Sequence, residues 1–153
     1  MNPQKYAKFV DDKSSPLIEK FINVLMRGGK KTVARKVFTD MLKIITKADD
    51  KKPAEDVFAL AIENIKPRVE VKAKRVGGSV YQIPVEVAPK RQQTLAIRWL
   101  LANCRKGSGK PMAAKLATEI LAAAKNEGSS VKKREDVQKM AEANKAYAHL
   151  ARY

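Results

Sequence analysis

The stretch KAKRVGGSVYQIPVEV, Lys72 to Val87, departs from the helical periodicity of the chain around it. Val69, Val71 and Ala73 alternate with Glu70, Lys72 and Lys74. After Gly77 and Gly78, Tyr81, Ile83, Val85 and Val87 alternate with Gln82, Pro84 and Glu86. A period of two on both sides of Gly-Gly predicts a β-hairpin over 69–87, because the glycines accept the positive φ angles of a tight turn. Each strand of about eight residues reaches roughly 27 Å.

The flanks read as helix. Ser14, Ser15 and Pro16 announce a first helix, a hydroxyl cap followed by a proline at the first helical position. Leu17, Ile18, Phe21, Ile22 and Leu25 form its stripe, and Gly28-Gly29 is expected to stop it. A second helix from about Lys31 carries Val33, Ala34, Val37, Phe38, Met41, Leu42 and Ile45 at helical spacing. Pro53 opens a third with Val57, Phe58, Ala61 and Ile65, and Pro67 prevents its continuation. Beyond the hairpin, Pro89 opens a fourth with Leu95, Ala96, Trp99, Leu100 and Asn103, followed by the loop KGSGKP. Pro111 opens a fifth with Met112, Ala113, Leu116, Ala117, Ile120, Leu121 and Ala124, Lys115 and Glu119 pairing on its outside. Gly128 ends it, and Ser129 or Ser130 caps a sixth with Val137, Met140, Ala141, Asn144 and Tyr147.

The expected fold is mainly α, a single domain of about six helices over 14–153 with one protruding hairpin between helices three and four. Residues 1–13 form an N-terminal extension, expected to be extended. The hairpin base (Val69, Val71, Val85, Val87) is expected to pack on the body and the tip to stand clear. The alternative is a small sheet folded back over the helices.

The charge is the second signal. Thirty-two Lys and Arg face 16 Asp and Glu in 153 residues, a formal net charge of +16, with an apolar fraction of 44%. Such an excess favours anionic partners, nucleic acid above all, over a merely soluble basic protein. The apolar residues lie in stripes that a core consumes and no run approaches a spanning length, so no membrane partner is expected. Eleven basic residues fall between Lys66 and Lys110 (Lys66, Arg68, Lys72, Lys74, Arg75, Lys90, Arg91, Arg98, Arg105, Lys106, Lys110) against Glu70 and Glu86. Arg27, Lys30, Lys31, Arg35 and Lys36 form a second cluster around the Gly28-Gly29 turn, and Lys132, Lys133 and Arg134 a third at the start of helix six. Three basic sites on one small protein suit phosphates arriving from several directions, as in folded RNA. Only nine aromatic residues are present and most fall on core stripes, so backbone charge and shape should outweigh base stacking.

Signals for other chemistry fail on their own terms. A phosphate loop needs a glycine five positions before its Gly-Lys and a hydroxyl after it. Around Gly29-Lys30 those positions hold Val24 and Lys31, and around Gly109-Lys110 they hold Cys104 and Pro111. One Cys and one His cannot build a thiolate zinc site. Cys104 on a mostly apolar helix reads as a buried thiol and His149 as a solvated side chain. Asp11-Asp12 and Asp49-Asp50 fall in polar connections. No catalytic residue, metal, cofactor or small-molecule substrate is expected. A DNA-bending protein with β-arms would carry an apolar wedge at the tip, where this chain has Gly-Gly-Ser. A lone cysteine suits a reducing compartment. The opening MNPQKYAKFVDDK lacks both the apolar core of a secretory signal and the Arg-rich, acid-poor character of a transit peptide.

Three blocks carry a resemblance: FINVLMRGGKKTVARKVF (21–38), EVKAKRVGGSVYQIPVEVAPKRQQTLAIRWLL (70–101) and VKKREDVQKMAEANKAYAHLARY (131–153). Together they closely resemble small-subunit ribosomal protein seven of the bacterial and organellar type, over nearly the whole chain from about residue 14. The resemblance implies a primary binder of the 3′ major domain of small-subunit ribosomal RNA that nucleates assembly of the subunit head. It implies head and platform proteins as neighbours, and a place beside the exit-site transfer RNA and the messenger RNA path. Carried over by position, and joined to the clusters above, the RNA-binding set comprises Arg27, Gly28, Gly29, Lys30, Lys31 and Arg35 at the first turn. It continues through Lys72, Lys74, Arg75, Gly77 and Gly78 on the hairpin, Lys90, Arg91, Arg98, Arg105 and Lys110 after it, and Lys132, Lys133 and Arg134 on helix six. Gly78, Ser79, Tyr81, Gln82, Lys145 and His149 are expected near the exit site. The implied location is a bacterial ribosome in the cytoplasm, with an organellar ribosome, above all a mitochondrial one, as the alternative. The chain departs from the family pattern at its N-terminus, where an Arg-rich arm is replaced by Lys5 and Lys8 with Asp11 and Asp12. It departs also at Ala88, Gln92 and Gln138, where relatives often carry basic residues or histidine.

Overall fold

The computed structural model describes residues 14–152; the expected extension over 1–13 lies outside them. The elements run α1 (Pro16–Leu25), α2 (Lys31–Ala48), α3 (Ala54–Ile65), β1 (Val69–Val76), β2 (Ser79–Glu86), α4 (Pro89–Lys106), α5 (Met112–Ala124) and α6 (Ser129–Ala143). A 3-10 segment, Lys145–Arg152, follows. Over the described residues the molecule is mainly helical, with a single antiparallel hairpin between α3 and α4.

Most of the buried apolar residues of the helices join one cluster. Phe21 of α1, Phe38 of α2 and Phe58 of α3 meet in it with centroids 5.0–5.8 Å apart, Phe58 edge-on to both others. This is the geometry that ring quadrupoles favour. Leu116, Ala117, Ile120 and Ala123 of α5 are fully buried among α2, α3, α4 and α6. The alanines of MAAKLATEILAAA let neighbouring backbones approach closely, which suits the most surrounded helix.

Helix starts and stops follow local chemistry, with several corrections. Ser15 caps α1, its Oγ accepting from the Ile18 N–H at 3.3 Å. The helix ends at Leu25 rather than at the glycines; Met26 is already extended, and Gly28 and Gly29, with φ of 59° and 73°, turn the chain into α2. Val33, expected on the buried stripe of α2, is 57% exposed, because the face that packs runs through Ala34, Phe38, Met41 and Ile45. Trp99 packs at the margin of the cluster, while Ile97, Leu101 and Cys104 widen the buried face of α4.

Lys115 and Glu119 do not pair with each other. Lys115 donates to the Gly107 carbonyl at 2.8 Å, closing the loop before α5. Glu119 accepts from the Ser130 N–H at 2.8 Å and from the Ser129 hydroxyl. The cap of α6 is therefore a carboxylate from α5, not a serine side chain; Gly128, at φ 93°, occupies the N-cap position. Glu119 satisfies an orphan N–H and places negative charge at the positive end of the helix.

The buried residues of α6 are Ser130, Val131 and Ala141, whereas Met140 is 53% exposed. The helix also stops at Ala143, short of the expected Tyr147. Asn144 Nδ2 donates to the Met140 carbonyl at 2.8 Å, competing for the backbone of its own last turn. The chain then tightens into the 3-10 segment, which lies along β2.

The hairpin register pairs Val76 with Ser79, Lys72 with Ile83 and Glu70 with Val85. Cross-strand partners share a face. The apolar stripe of β1 (Val69, Val71, Ala73) therefore lies on the opposite face from the apolar stripe of β2 (Tyr81, Ile83, Val85). The inward face is that of β2: Ile83 and Val87 are buried, and so is Glu70 of β1. Val69, Val71 and Val85 are only half-buried. The hairpin thus neither stands free nor folds back as part of a larger sheet. It rests on α6 and the 3-10 segment, with Gly77, Gly78, Ser79 and Val80 exposed at its end.

Candidate nucleic-acid interface

The hairpin tip is a two-residue turn with φ of 58° at Gly77 and 86° at Gly78. Nothing lies within 4 Å of a Cβ built at either position, so glycine serves the backbone angles and not a close approach. Alternation along β1 divides its cations. Arg75 is exposed on the outer face and has no hydrogen-bond or ion-pair partner among the described residues. Lys72 and Lys74 share the inner face with Ile83 and Tyr81. Lys74 Nζ donates to the Leu150 carbonyl at 3.3 Å, and the Tyr81 ring lies 5.3 Å from Tyr147. β2, which bears Tyr81 and Gln82, and the 3-10 segment bearing Lys145 and His149 are thereby neighbours. His149 Nδ1 lies 3.0 Å from the Ala146 carbonyl, a local contact.

At the hairpin base, Glu70 is 9% exposed. Arg91, at the start of α4, grips it with a fork of hydrogen bonds, Nε to Oε1 at 2.8 Å and Nη2 to Oε2 at 3.0 Å. Lys72 Nζ stands 3.3 Å from the same carboxylate. The hydrogen bonds from Arg91 hold the Glu70 carboxyl below the usual range, against the burial that would raise it, and Lys72 acts in the same sense. Sequence reading counts Glu70 only as one of two acids in the basic stretch 66–110. A lone acid within a basic strand was the available signal, but its partner lies 21 residues away.

The same pattern recurs at the first turn. Glu19 of α1 receives a fork from Arg35, at 2.9 and 3.1 Å, and Lys31 stands 3.6 Å away. The fork holds the Glu19 carboxyl down, with burial opposing it and Ser14 and Lys31 assisting. Arg27, Lys30 and Lys36 have no ion-pair partner among the described residues. Beside them a depression of about 610 Å³ is lined by Lys31, Thr32, Arg35, Lys36 and Thr39, a wall of donors without a carboxylate.

Arg105 caps the end of α1, Nη2 donating to the Leu25 carbonyl at 3.3 Å. Burial, with Arg27 nearby, pushes its pKa down. Arg134 donates to the Asn64 carbonyl at the end of α3 and stands 3.7 Å from Glu135. Lys90, Arg98 and Lys110 are exposed around α4 and its following loop, and Lys132 and Lys133 on the first turn of α6. Of the fifteen cations expected to face RNA, Arg35, Arg91, Arg105 and Arg134 also bind the protein's own carboxylates and helix ends, Lys31 and Lys72 stand beside Glu19 and Glu70, and Lys74 reaches the Leu150 carbonyl. Spacing alone does not single out the four arginines, because the hydrogen-bond partner of each comes from another element.

Among the described residues no group of three His, Cys, Asp or Glu could hold a metal ion, and no helix is long and apolar enough to cross a membrane. Cys104 is buried, and that burial pushes its thiol up to about 12, away from nucleophilic use. What the surface offers is exposed cations at the α1–α2 turn, on the hairpin and α4, and at the start of α6.

The family model of ribosomal protein S7p/S5e matches residues 2–145. The small ribosomal subunit protein uS7 of Nitratiruptor sp. is 53% identical over 135 residues, covering 88% of this chain and 86% of the relative. That of Campylobacter concisus is 56% identical over 133 residues, 87% of this chain and 85% of the relative. That of Halorhodospira halophila is 54% identical over 136 residues, 88% and 86%. The chain thus belongs to the ribosomal protein S7p/S5e family, whose members are structural, non-enzymatic constituents of the ribosome.

Proposed function

We propose that residues 14–153 act as one RNA-binding domain in the small ribosomal subunit, docking on the 3′ major domain of its RNA as a primary binder that nucleates head assembly. The observation that carries this is the set of exposed cations on separate elements, Arg27, Lys30 and Lys36 beside α2, Arg75 on the hairpin and Lys90 and Arg98 on α4, with the hairpin tip itself exposed. Phosphates at the Gly28–Arg35 turn, along Lys72–Gln82 and at Lys90 and Arg98 would meet donors already held by packed helices. Arg91 keeps N–H donors beyond those given to Glu70, so it can bridge its carboxylate and a phosphate. Lys132, Lys133, Arg134, Arg105 and Lys110 extend the contact on other sides. The hairpin end and the 3-10 segment, joined through Tyr81 and Tyr147, form the part directed at exit-site transfer RNA and messenger RNA. Head and platform proteins are its protein neighbours. Bacterial relatives support a bacterial cytoplasmic ribosome, with an organellar one as the alternative.

The test is binding to a folded head-domain ribosomal RNA fragment, against duplex DNA and an unrelated structured RNA, across a salt series. Selective binding to the fragment that survives moderate salt is expected. Equal binding to all three that collapses with salt would leave charge without recognition, because counterion release is blind to sequence and shape.

A further inference from the structure

We propose that Glu70 is a positioning residue for the hairpin: its carboxylate, gripped by Arg91 of α4 and flanked by Lys72, sets the angle at which the hairpin leaves the helical body. The geometry fits that task. A two-stranded ribbon is marginally stable by itself and its twist is soft. Its base is joined to α4 by only the short link at Val87 and Ala88, and the Val87 N–H reaches back to the Arg68 carbonyl at 3.0 Å. Such a link does not by itself fix an angle, and the packing of the hairpin on α6 and the 3-10 segment supplies largely non-directional apolar contact. The Glu70 fork ties β1 to the first turn of α4 at a second point, off the axis of the link, and its two parallel hydrogen bonds fix direction as well as distance.

The choice of residue is informative. Glu70 is the only acid on β1, in a strand that otherwise carries Lys72, Lys74 and Arg75. A carboxylate there lowers the local positive charge and weakens general attraction to polyanions. Its presence is explained by orientation rather than by affinity. The consequence for binding rests on the RNA-facing reading above; the consequence for hairpin angle does not.

The experiment uses the full chain with Glu70→Gln, Arg91→Gln and both together. Nitroxide labels at Val80→Cys and Thr118→Cys report the distance from tip to body by pulsed electron resonance, Cys104 being buried. Helical circular dichroism establishes that each variant folds. A narrow distance distribution in the parent and a broad one in Glu70→Gln are expected, with the double variant no broader than either single one. If the free hairpin holds its bound angle one time in ten, binding to the head-domain RNA fragment weakens about tenfold. Binding to unrelated duplexes should hold or strengthen, since the variant carries one more net positive charge. An unchanged, narrow distribution in Glu70→Gln with undiminished selectivity would overturn the proposal. Should the parent itself show no RNA selectivity, the RNA-facing reading falls and the distance measurement still decides the role of Glu70.

Discussion

Removing the hairpin cations one at a time gives a graded result that the structure orders in advance. By spacing alone Lys72, Lys74 and Arg75 are equivalent, and loss of all three should flatten the salt dependence of RNA binding by up to about three units, at about 0.9 per phosphate contact on a duplex. The register breaks that equivalence. Arg75 points outward without a partner among the described residues, so Arg75→Ala should remove a full contact and reduce the slope of log K against log salt by about 0.7–0.9. Over a fourfold rise in salt, that makes the gap in affinity between parent and variant narrow by about threefold. Lys72 is 55% exposed but stands 3.3 Å from Glu70, and its loss should show a fraction of that change. Lys74 donates to the Leu150 carbonyl on the inner face, so Lys74→Ala should barely alter the slope while loosening the 3-10 segment. The triple variant should then lose between about one and two units rather than three. Filter binding to the head-domain RNA fragment between 50 and 200 mM monovalent salt resolves such differences. A larger slope change in Lys74→Ala than in Arg75→Ala would refute the facing assigned to the two strands.

Phe58→Ala removes a fully buried ring and its edge-on contacts with Phe21 and Phe38, so urea unfolding should show a loss of about 3–5 kcal/mol at unchanged m-value. Cys104 should resist thiol reagents in the native protein at pH 8 and react once unfolded. Its folded pKa near 12 lies above the unfolded value, so it contributes stability below pH 9 that is lost as pH rises toward 12, and Cys104→Ala should flatten that alkaline decline. Glu19 has the opposite sign: its lowered folded pKa means stability present above the ordinary carboxylate range and lost as pH falls through it. Acid unfolding of Glu19→Gln should therefore be less steep than that of the parent.

The sequence by itself determined the order of the six helices and the hairpin, though not the 3-10 segment after them. Ser15-Pro16, the Gly-Gly pairs, Pro53, Pro67 and Pro89 act within a few residues, through caps, φ angles and missing N–H groups, so their effect can be read locally. It determined the excess of positive charge and its three clusters, since charge is a property of composition and spacing. The tertiary structure alone decided which face of each element turns inward. Both strands offered an apolar stripe, and the two-residue turn put those stripes on opposite faces, so packing could bury only one. It likewise decided which cations remain free. Glu70 with Arg91, Glu19 with Arg35 and Glu119 with the start of α6 join residues 10–21 apart, and Arg105 and Arg134 reach carbonyls at the ends of α1 and α3. A charged side chain finds its partner through space rather than along the chain, so the division between cations that hold this protein together and cations left for a polyanion exists only once the helices have packed.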